Sequence, residues 1–371
     1  MKTQPVSYFE LAGTYEEIGR QMARRLKEAN MLSSVLIPRP KCITDKDLKD
    51  ALKLYETYCP GTVEELQGFS KEAGIEVEKI MYTWMTYLVP RCSGLILLGS
   101  KTTDGHTKLV RNYEFSLEDE DLAVVRTAPV GKYSHIGGTI AIFGRCEGIN
   151  ECGLAVSMSS CGMPVGNMEG MRAPKVYGLH FWAVIRTLLE NCKNVEEALE
   201  MVKDMPIAYN INLYLADPSH NGVLYETMDG KVAYERINEA SKKQYLCGTN
   251  HIVIPKFQVN EPVAMRNSVV RFQALTRFVD SRDKCKEEEV KDFFLTKYPE
   301  GMSTCYYEDW FGTIRTVVMD TVERRFSICW FGQKENGWTD LLVDQNYAAC
   351  EKEKLVCKER AEGKLFEFIT C

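Results

Sequence analysis

The side chains best suited to chemistry stand in two short segments, RCSGLILLGS and TKLVRNYEF, joined by a turn signal around Asp104. Cys92 begins the first segment, and the cluster Arg111-Asn112-Tyr113-Glu114 ends the second. Both segments are apolar and short enough to be strands. Charges are unfavourable inside a buried strand unless they are paired with opposite charges or belong to a functional site. The pattern therefore predicts two neighbouring strands whose charged residues are either paired or part of a site.

Cys92 follows Pro90 and Arg91, where helical sequence character ends and strand character begins. If the chain were cut before Cys92, that residue would carry both a thiol and a free α-amine. An α-amine has a pKa of about 7.7–8, so it can accept the proton of its own thiol at neutral pH. The alternative is that Cys92 is one more core cysteine at the start of a strand.

Residues 1–90 are predicted to be helical. Thr14 with Glu17 and Thr62 with Glu65 have the spacing of capping boxes, and Thr44 precedes apolar residues at helical spacing. A fourth apolar stretch, VEKIMYTWMTYL, extends the helical prediction to Pro90.

Strands and helices alternate in clusters after residue 90. Strands are predicted at LILLGS, TKLVRNYEF, GGTIAIFG and GLAVSMSS, then at INLYLAD, GVLYET, KVAYERI and YLCGTNH, and finally at TIRTVVMD and RRFSICWFG. Helices are predicted within 176–204, 266–279 and 286–296. Clustered rather than strictly alternating elements favour an α+β fold with layered, largely antiparallel sheets.

Composition excludes several classes of function. The 371 residues carry 46 Lys plus Arg against 52 Asp plus Glu, a net charge of -6, so no basic field favours nucleic acid. The N-terminus has no apolar signal region, and no apolar run approaches a membrane span. We therefore expect a soluble, cytoplasmic protein with no membrane or nucleic-acid partner.

Cofactor and metal motifs are also absent. The 14 cysteines include no CxxC pair, and the five histidines form no HExxH motif, so we expect no structural metal, no cofactor and reduced thiols. Phosphate-binding loops and a GxSxG nucleophile motif are missing. A papain-like pairing of a cysteine with His180 or His251 stays open as a minor alternative.

Six motifs in order along the chain resemble the N-terminal-nucleophile (Ntn) cysteine hydrolases. RCSGLILLGSKTTDGHTKLVRNYEF resembles the isopenicillin N acyltransferase-like branch, and it is similar also to the choloylglycine hydrolases and penicillin V acylases. The other similar segments are ELAGTYEEIGRQMA, EGINECGLAVSMS, CGTNH, NSVVRFQALTRF and TIRTVVMD. The resemblance implies a four-layer αββα sandwich. It divides the chain into a helical pro-segment, 1–91, retained after cleavage between Arg91 and Cys92, and a catalytic part, 92–371, within one structural domain.

The resemblance also assigns roles at the site. Cys92 would be the nucleophile, Arg111 the charge that favours its thiolate, and Glu114 the acid that orients its α-amine. Asn150 and Asn250 match amide-bearing residues near the tetrahedral intermediate, and Arg271 matches a supporting helix arginine. Without the resemblance, the two asparagines would be read as turn residues and the arginine as a solvated helix charge.

Two positions depart from the family pattern. Residue 91 is Arg where self-cleaving relatives usually have Gly, and residue 114 is Glu rather than Asp. Three functions therefore stay open. The first is a hydrolase of small-molecule linear amides that acts through a thioester. The second is an acyltransferase that passes an acyl group to an amine, for example from a coenzyme A thioester, and the third is an uncleaved binding protein. The substrate and the oligomeric state, including a homo-oligomer, are not determined by the sequence.

Overall fold

The structure of the protein, a computed structural model, describes residues 2–36, 38–39, 41, 43–84, 91–118, 120–163, 165, 173, 175–309, 311–361 and 363–370. Within these ranges eight helices form, numbered in chain order: α1 (Tyr15–Glu28), α2 (Asp45–Tyr58), α3 (Thr62–Ala73), α4 (Phe181–Asn191), α5 (Val195–Lys203), α6 (Pro255–Gln258), α7 (Arg266–Asp280) and α8 (Glu287–Leu295). No helix among the described residues has the length and apolar character needed to cross a membrane.

The strands of the described ranges are β1 (Lys2–Gly13), β2 (Arg91–Leu97), β3 (Lys108–Phe115), β4 (Ala123–Pro129), β5 (His135–Ile140), β6 (Gly144–Asn150), β7 (Ala155–Ser160), β8 (Ile211–Ala216), β9 (Gly222–Met228), β10 (Lys231–Ile237), β11 (Tyr245–Gly248), β12 (Val263–Met265), β13 (Cys305–Tyr306), β14 (Phe311–Asp320), β15 (Arg325–Trp330), β16 (Thr339–Leu342), β17 (Cys350–Val356) and β18 (Phe368–Thr370). All ten strands predicted from the sequence are present; β1, β4, β6, β12, β13, β16, β17 and β18 were not predicted.

Two large sheets contain nearly all of these strands. The first has the order β10-β9-β8-β7-β6-β5-β4-β1-β17, and the second has the order β11-β2-β3-β14-β15-β16, with β13 added to β14. Every pair is antiparallel except β1 with β4. The prediction of largely antiparallel sheets is confirmed, and β12 with β18 forms a separate small ribbon.

The sheets pack face to face between layers of helices. Strands β2 and β3 contact β7 and β8 across the interface, α4 and α5 cover the outer face of the first sheet, and α7 and α8 contact the second. Two sheets with mainly apolar inner faces bury those faces against each other and their outer faces against helices. The fold is the expected four-layer αββα sandwich.

The first ninety residues are not all helical, which corrects the sequence prediction. Lys2–Gly13 is a twelve-residue strand that lies between β4 and β17 inside the first sheet. Its buried residues lie on both faces, Val6 and Tyr8 on one and Phe9 and Leu11 on the other, because successive strand residues point to opposite sides. The helical prediction gave weight to the capping box at Thr14 and missed the strand that precedes it.

The predicted helix starts are confirmed at two of three sites. Thr14 and Thr44 each accept a hydrogen bond from the third helical residue in complete capping boxes. The box predicted at Thr62 is wrong, because Thr62 is already helical and Gly61 is the cap. Glu65, its proposed partner, instead pairs with Arg186 of α4. The predicted helix VEKIMYTWMTYL is wrong over its described part, which forms two 3-10 turns, Val77–Lys79 and Met81–Trp84, and residues 85–88 lie outside the described residues.

Candidate active site

Cys92 is the second residue of strand β2 and faces the interface between the two sheets. The antiparallel register places Cys92 opposite Tyr113 and Gly94 opposite Arg111 on β3. Residues 92, 94, 111 and 113 therefore share one face of this strand pair, because facing residues on paired strands point the same way. The thiol and the nearest cation are both fully buried.

Arg111 donates a hydrogen bond from Nη2 to the Cys92 sulfur at 2.9 Å. Burial raises the pKa of the Cys92 thiol above its usual value, and the Arg111 guanidinium and the backbone N–H of Glu114 offset only part of this rise. A guanidinium in contact with a sulfur favours the thiolate over the thiol. The predicted neighbourhood of Cys92 and Arg111 is thus present in the structure, with Arg111 in position to stabilise a negative sulfur.

Glu114 points to the opposite face of β3. Its carboxylate forms a buried ion pair with Arg271 of α7, and neighbouring Asn112 donates to the Phe294 carbonyl of α8. Arg111 and Glu114 are three positions apart, so they point to opposite faces of a regular strand. A bulge lies in the neighbouring strand β14, between Thr313 and Arg315, but β3 stays regular against β2. Arg111 and Glu114 therefore approach Cys92 from two sides of its strand.

Burial raises the pKa of Glu114 to about 7, although the Arg271 guanidinium acts to lower it. The carboxyl group is fully buried, and desolvation favours its neutral form. Its protonation therefore changes within the physiological range. Arg91 is the register partner of Glu114 on β2, so the Glu114 backbone lies beside the peptide bond that precedes Cys92.

Asn250 connects to the same cluster through Arg271. Its Oδ1 accepts from Arg271 Nη2 at 2.9 Å, and its Nδ2 donates to the Ser160 carbonyl at 2.9 Å. Because one oxygen faces a guanidinium, the amide orientation is fixed, and the nitrogen has a second N–H to offer. Gly248 of β11 pairs with Gly94 of β2 in antiparallel register. Continued by two residues, this register brings Asn250 beside Cys92.

The Ser268 hydroxyl, which also contacts the His251 imidazole, holds the backbone of Asn250 in place. Ser268 Oγ accepts from the Asn250 N–H at 2.8 Å and contacts His251 Nδ1 at 2.8 Å. Burial lowers the pKa of His251 to about 4, so the imidazole is neutral at neutral pH. His251 had been considered for a papain-like pair with a cysteine; its ring nitrogen contacts Ser268 and Thr249 instead.

Asn150 is placed differently from the other predicted site residues. Its Nδ2 donates to the Leu189 and Cys192 carbonyls at the end of α4, and its Oδ1 accepts from the backbone N–H groups of Cys152 and Leu154. All four bonds tie α4 to the turn after β6, which is the turn role considered as the alternative. The structure brings together Cys92, Arg111, Glu114, Asn250 and Arg271, and it gives Asn150 other partners.

Two residues of the cluster were missed by the sequence analysis. Glu147 on β6 forms an ion pair with Arg111 Nε at 3.3 Å and accepts a hydrogen bond from Arg315 Nε at 2.7 Å. Arg315 also pairs with Glu120 at 3.0 Å and stacks over the Tyr113 ring at 4.2 Å. The sequence did contain a signal for both residues: each is an isolated charge within an apolar strand, GRCEGIN or FGTIRTVVMD. The same kind of signal indicated Arg111.

Two other groups of side chains have metal-ligand character. Asp104, His106 and Asp320 lie close together, as do Cys305, Cys357 and Glu359. The first group already holds the Lys108 ammonium, which lies 2.8 Å from Asp104 and 2.5 Å from Asp320. In the second group the Glu359 carboxylate pairs with Lys297. In both groups a lysine already neutralises a carboxylate that a cation would need.

Comparison with known proteins places the chain in a family. The family model described as acyl-coenzyme A:6-aminopenicillanic acid acyl-transferase matches residues 100–335, which is more than half of the chain. The chain belongs to this family, as its motifs indicated. The matched range begins after Cys92, so the nucleophile assignment rests on the motif and geometry described above. No curated protein sequence matches the chain.

Solved structures of similar fold include enzymes of bile acid and penicillin chemistry. Two variants of the conjugated bile acid hydrolase from Clostridium perfringens each share 14% identity over 73% of this chain and 99% of theirs, with TM-scores of 0.43 and 0.46. Penicillin V acylase from Agrobacterium tumefaciens shares 14% identity over 76% of this chain and 100% of its own, with a TM-score of 0.42.

Proposed function

We propose that the protein is an Ntn cysteine amidohydrolase of small linear amides, with Cys92 as the nucleophile. The observation that carries the proposal is the 2.9 Å contact between Arg111 Nη2 and the Cys92 sulfur at the start of a strand. A buried cysteine that only filled core volume would not need a guanidinium against its sulfur. The acyltransferase family of the chain supports the same class of acyl chemistry.

Cleavage before Cys92 is the first step of the proposal. The Cys92 sulfur attacks the Arg91 carbonyl carbon, the peptide C–N bond breaks, and the nitrogen takes up a proton to become the α-amine. Water then hydrolyses the resulting thioester, which restores the thiol and leaves a carboxylate on Arg91. Arg91 has a larger side chain than the usual Gly and is buried. The surrounding protein must therefore accommodate this side chain while the acyl group moves from the Cys92 nitrogen to its sulfur.

Turnover repeats the same chemistry on an external amide. The α-amine accepts the thiol proton, the sulfur attacks the amide carbonyl, and the released amine takes the proton back. Water attacks the thioester in the second half of the cycle and releases the acid. Arg111 stabilises the sulfur anion, Glu114 orients the α-amine, and the free N–H of Asn250 is available to the oxyanion.

Arg271 acts as the positioning residue for this set. It contacts Glu114 through Nη1 and Asn250 through Nη2, so one guanidinium fixes an acid and an amide at once. Its charge keeps Glu114 partly ionised despite burial. Because it touches the other two residues, its removal should disturb both the α-amine contact and the oxyanion contact.

Residues 1–91 would remain bound after cleavage. Strand β1 pairs along its length with β4 in parallel and with β17 in antiparallel register. α1 and α3 pack together, and Glu65 of α3 forms a buried pair with Arg186 of α4. Loss of this segment would open the first sheet between β4 and β17, so we expect two chains that behave as one particle.

Intact mass under denaturing conditions tests the proposal most directly. We expect two species, residues 1–91 and 92–371, that co-elute under native conditions. Cys92→Ala should give one uncut chain without amidase activity, whereas Cys329→Ala, at another buried cysteine, should still be cut. A cleaved and active Cys92→Ala variant would disprove the nucleophile assignment, and an uncut natural chain would favour the binding-protein alternative.

Acyl transfer is the second candidate, and the description of the family favours it. The acyl-enzyme would then pass its acyl group to an amine in place of water. Turnover of one amide or thioester substrate with and without added amine separates the two reactions. A new amide that increases with amine concentration indicates transfer, and constant acid release indicates hydrolysis.

A cytoplasmic location belongs to the same proposal. The twelve described cysteines are all unpaired thiols. Free thiols of this number persist in a reducing compartment. Cell fractionation followed by detection of the native protein would place it, and recovery outside the cytoplasm would contradict this part of the proposal.

A further inference from the structure

The loop that carries Asn250, the proposed oxyanion donor, has no regular structure of its own. Strand β11 ends at Gly248, and residues 249–254 form neither helix nor strand. The position of the Asn250 amide therefore depends on side chains that hold this loop from other elements. Such support matters because an oxyanion donor is effective only when it is fixed in place before the negative charge develops.

Asn212 of β8 holds the backbone on both sides of Asn250. Its Nδ2 donates to the Thr249 carbonyl at 3.1 Å and to the His251 carbonyl at 3.3 Å. A third contact of the same nitrogen, to Ser159 Oγ, is 3.4 Å long. One amide nitrogen thus joins the carbonyl groups of the residues before and after Asn250, so its loss would free the backbone at the position that carries the donor.

Glu226 is the register partner of Asn212 on β9, and it holds the next part of the loop. Its Oε1 accepts from the Val253 N–H at 2.7 Å, and its two carboxylate oxygens lie 3.2 and 3.1 Å from the Ile254 nitrogen. Residues directly opposite on paired strands point to the same face. Asn212 and Glu226 therefore form a pair, here called the loop clamp, that binds carbonyls at one end of residues 249–254 and N–H groups at the other.

The two side chains of the loop clamp are unfavourable ones to bury. Both are fully buried, and a polar group inside a protein destabilises the fold unless it is hydrogen-bonded. Apart from the contact with Ser159, their hydrogen bonds run to the loop. Asn212 Oδ1 has no partner among the described residues, so this amide is bound through the nitrogen that faces the loop carbonyls. The polar groups therefore serve the loop and not the pairing of β8 with β9.

The close approach of β8 to this loop depends on Gly248. A Cβ at this position would lie 2.6 Å from the Tyr214 hydroxyl and 3.4 Å from Asn212 Nδ2. The Tyr214 hydroxyl lies 3.0 Å from Ser159 Oγ, which donates to the Thr249 carbonyl at 2.6 Å. The absence of a side chain at the end of β11 thus lets polar groups of the facing sheet reach the loop.

We propose that Asn212 and Glu226 are positioning residues for the oxyanion contact, and that they act by fixing the loop that places the Asn250 amide beside Cys92. The inference rests on the proposed amidase function, because it takes Asn250 as the oxyanion donor. Arg271 holds the side chain of Asn250, and the loop clamp holds its backbone. Loss of the clamp should therefore weaken stabilisation of the transition state more than binding of the substrate.

Steady-state kinetics of the full chain carrying Asn212→Ala test the catalytic part of the proposal. Measurements at pH 8.5 keep Glu226 ionised, since burial raises its pKa to about 7. We expect kcat per titrated Cys92 to fall about 10- to 100-fold, because a displaced oxyanion donor loses much of its effect. KM should change less than about 2-fold, because the oxyanion is absent from the bound substrate. Asn336→Ala is the control, since Asn336 also donates to two backbone carbonyls, those of residues 330 and 355.

A double-mutant cycle separates positioning of Asn250 from general support of the fold. If Asn212 acts through Asn250, then Asn212→Ala should cause no further loss of kcat in a chain that already carries Asn250→Ala. Losses that multiply in the double variant would overturn the proposal, and so would a rise in KM without a fall in kcat.

Hydrogen exchange of the peptide that spans residues 249–254 tests the loop clamp without turnover. Asn212→Ala and Glu226→Gln should each speed exchange in this peptide, because its N–H groups are protected only while the loop is held. Asn336→Ala and Glu235→Gln, the latter at an exposed position on β10, should leave it unchanged. Glu226→Gln keeps the side-chain shape, so it provides the test if Asn212→Ala misfolds.

The exchange measurement distinguishes failure of this proposal from failure of the amidase function. Unchanged exchange in both clamp variants would overturn the proposal whatever the kinetics show. Faster exchange in these variants, in a protein whose natural chain turns over no amide, would support the loop clamp and contradict the amidase function.

Discussion

Arg111 reaches Cys92 diagonally across the β2–β3 pair, with Nη2 2.9 Å from the sulfur although its register partner is Gly94. Tyr113 is the residue opposite Cys92, and Arg111 lies two positions away on the same face. Gly94 cannot easily carry a side chain, because a Cβ there would lie 2.6 Å from the Tyr214 ring. The contact between cation and thiol therefore depends on close packing of the two sheets.

Arg111→Met should leave Cys92 without its nearest cation. An opposite charge in contact lowers a pKa by about 1–3 units, so its removal should reduce the thiolate fraction about 10- to 1000-fold at neutral pH. The rate of Cys92 alkylation, followed by peptide mass, and kcat should fall together. Arg236→Met, at an exposed position on β10, is the control. Undiminished Cys92 alkylation in the Arg111 variant would show that the guanidinium does not activate the sulfur.

Glu114 should impose a pH dependence on activity near 7. Its carboxylate form orients the α-amine, so kcat/KM should rise as pH increases through about 7, the pKa of this group. Glu114→Gln resembles the protonated form and should hold activity at the low-pH level throughout. If the variant keeps the same acid limb, another group, such as the α-amine, causes it.

Glu114 should also make the stability of the fold depend on pH, in the direction opposite to its effect on activity. The pKa of Glu114 is raised on folding, so the folded protein holds this proton more tightly than the unfolded chain does. Its contribution is therefore fully present below the unfolded pKa and is lost as pH rises to about 7. Urea unfolding at pH 5 and pH 7.5 should show less pH dependence in Glu114→Gln than in the natural chain.

Asn150 and Asn250 should respond differently to replacement by alanine. Asn250→Ala should lower kcat about 100-fold or more, as expected for a lost oxyanion donor, and should cost less stability than Asn150→Ala because it breaks two buried hydrogen bonds rather than four. Asn150→Ala breaks four hydrogen bonds at the end of α4 and should cost about 3 kcal/mol while the folded fraction keeps its kcat. Active-site titration with chemical denaturation measures both. A kcat loss confined to Asn150→Ala would reverse the two roles.

Glu147→Gln should be among the most destabilising single changes in the chain. Glu147 pairs with Arg111 and Arg315, and all three side chains are fully buried. Removing one partner of a buried ion pair typically costs about 3–5 kcal/mol, because the remaining charge has no water to replace it. Glu200→Gln, which breaks the exposed pair with Lys203, should change stability by less than about 1 kcal/mol. Equal effects in urea unfolding would contradict a supporting role for the buried network.

Local patterns determined much of the fold. Capping residues and helical spacing located α1 and α2, and turn signals with alternating apolar residues located the hairpins β8–β9 and β14–β15. These features depend on residues a few positions apart, so the sequence displays them directly. The position of Cys92 at a strand start and the charged cluster on the next strand were equally visible.

Only the tertiary structure decided which of these residues meet. The sequence could not show that β1 inserts between β4 and β17, because that pairing joins segments more than a hundred residues apart. It also could not separate Asn150, which holds a turn, from Asn250, which faces Arg271. Glu147 and Arg315 became visible only when two sheets packed, because a buried charge is stable only beside partners that distant parts of the chain supply.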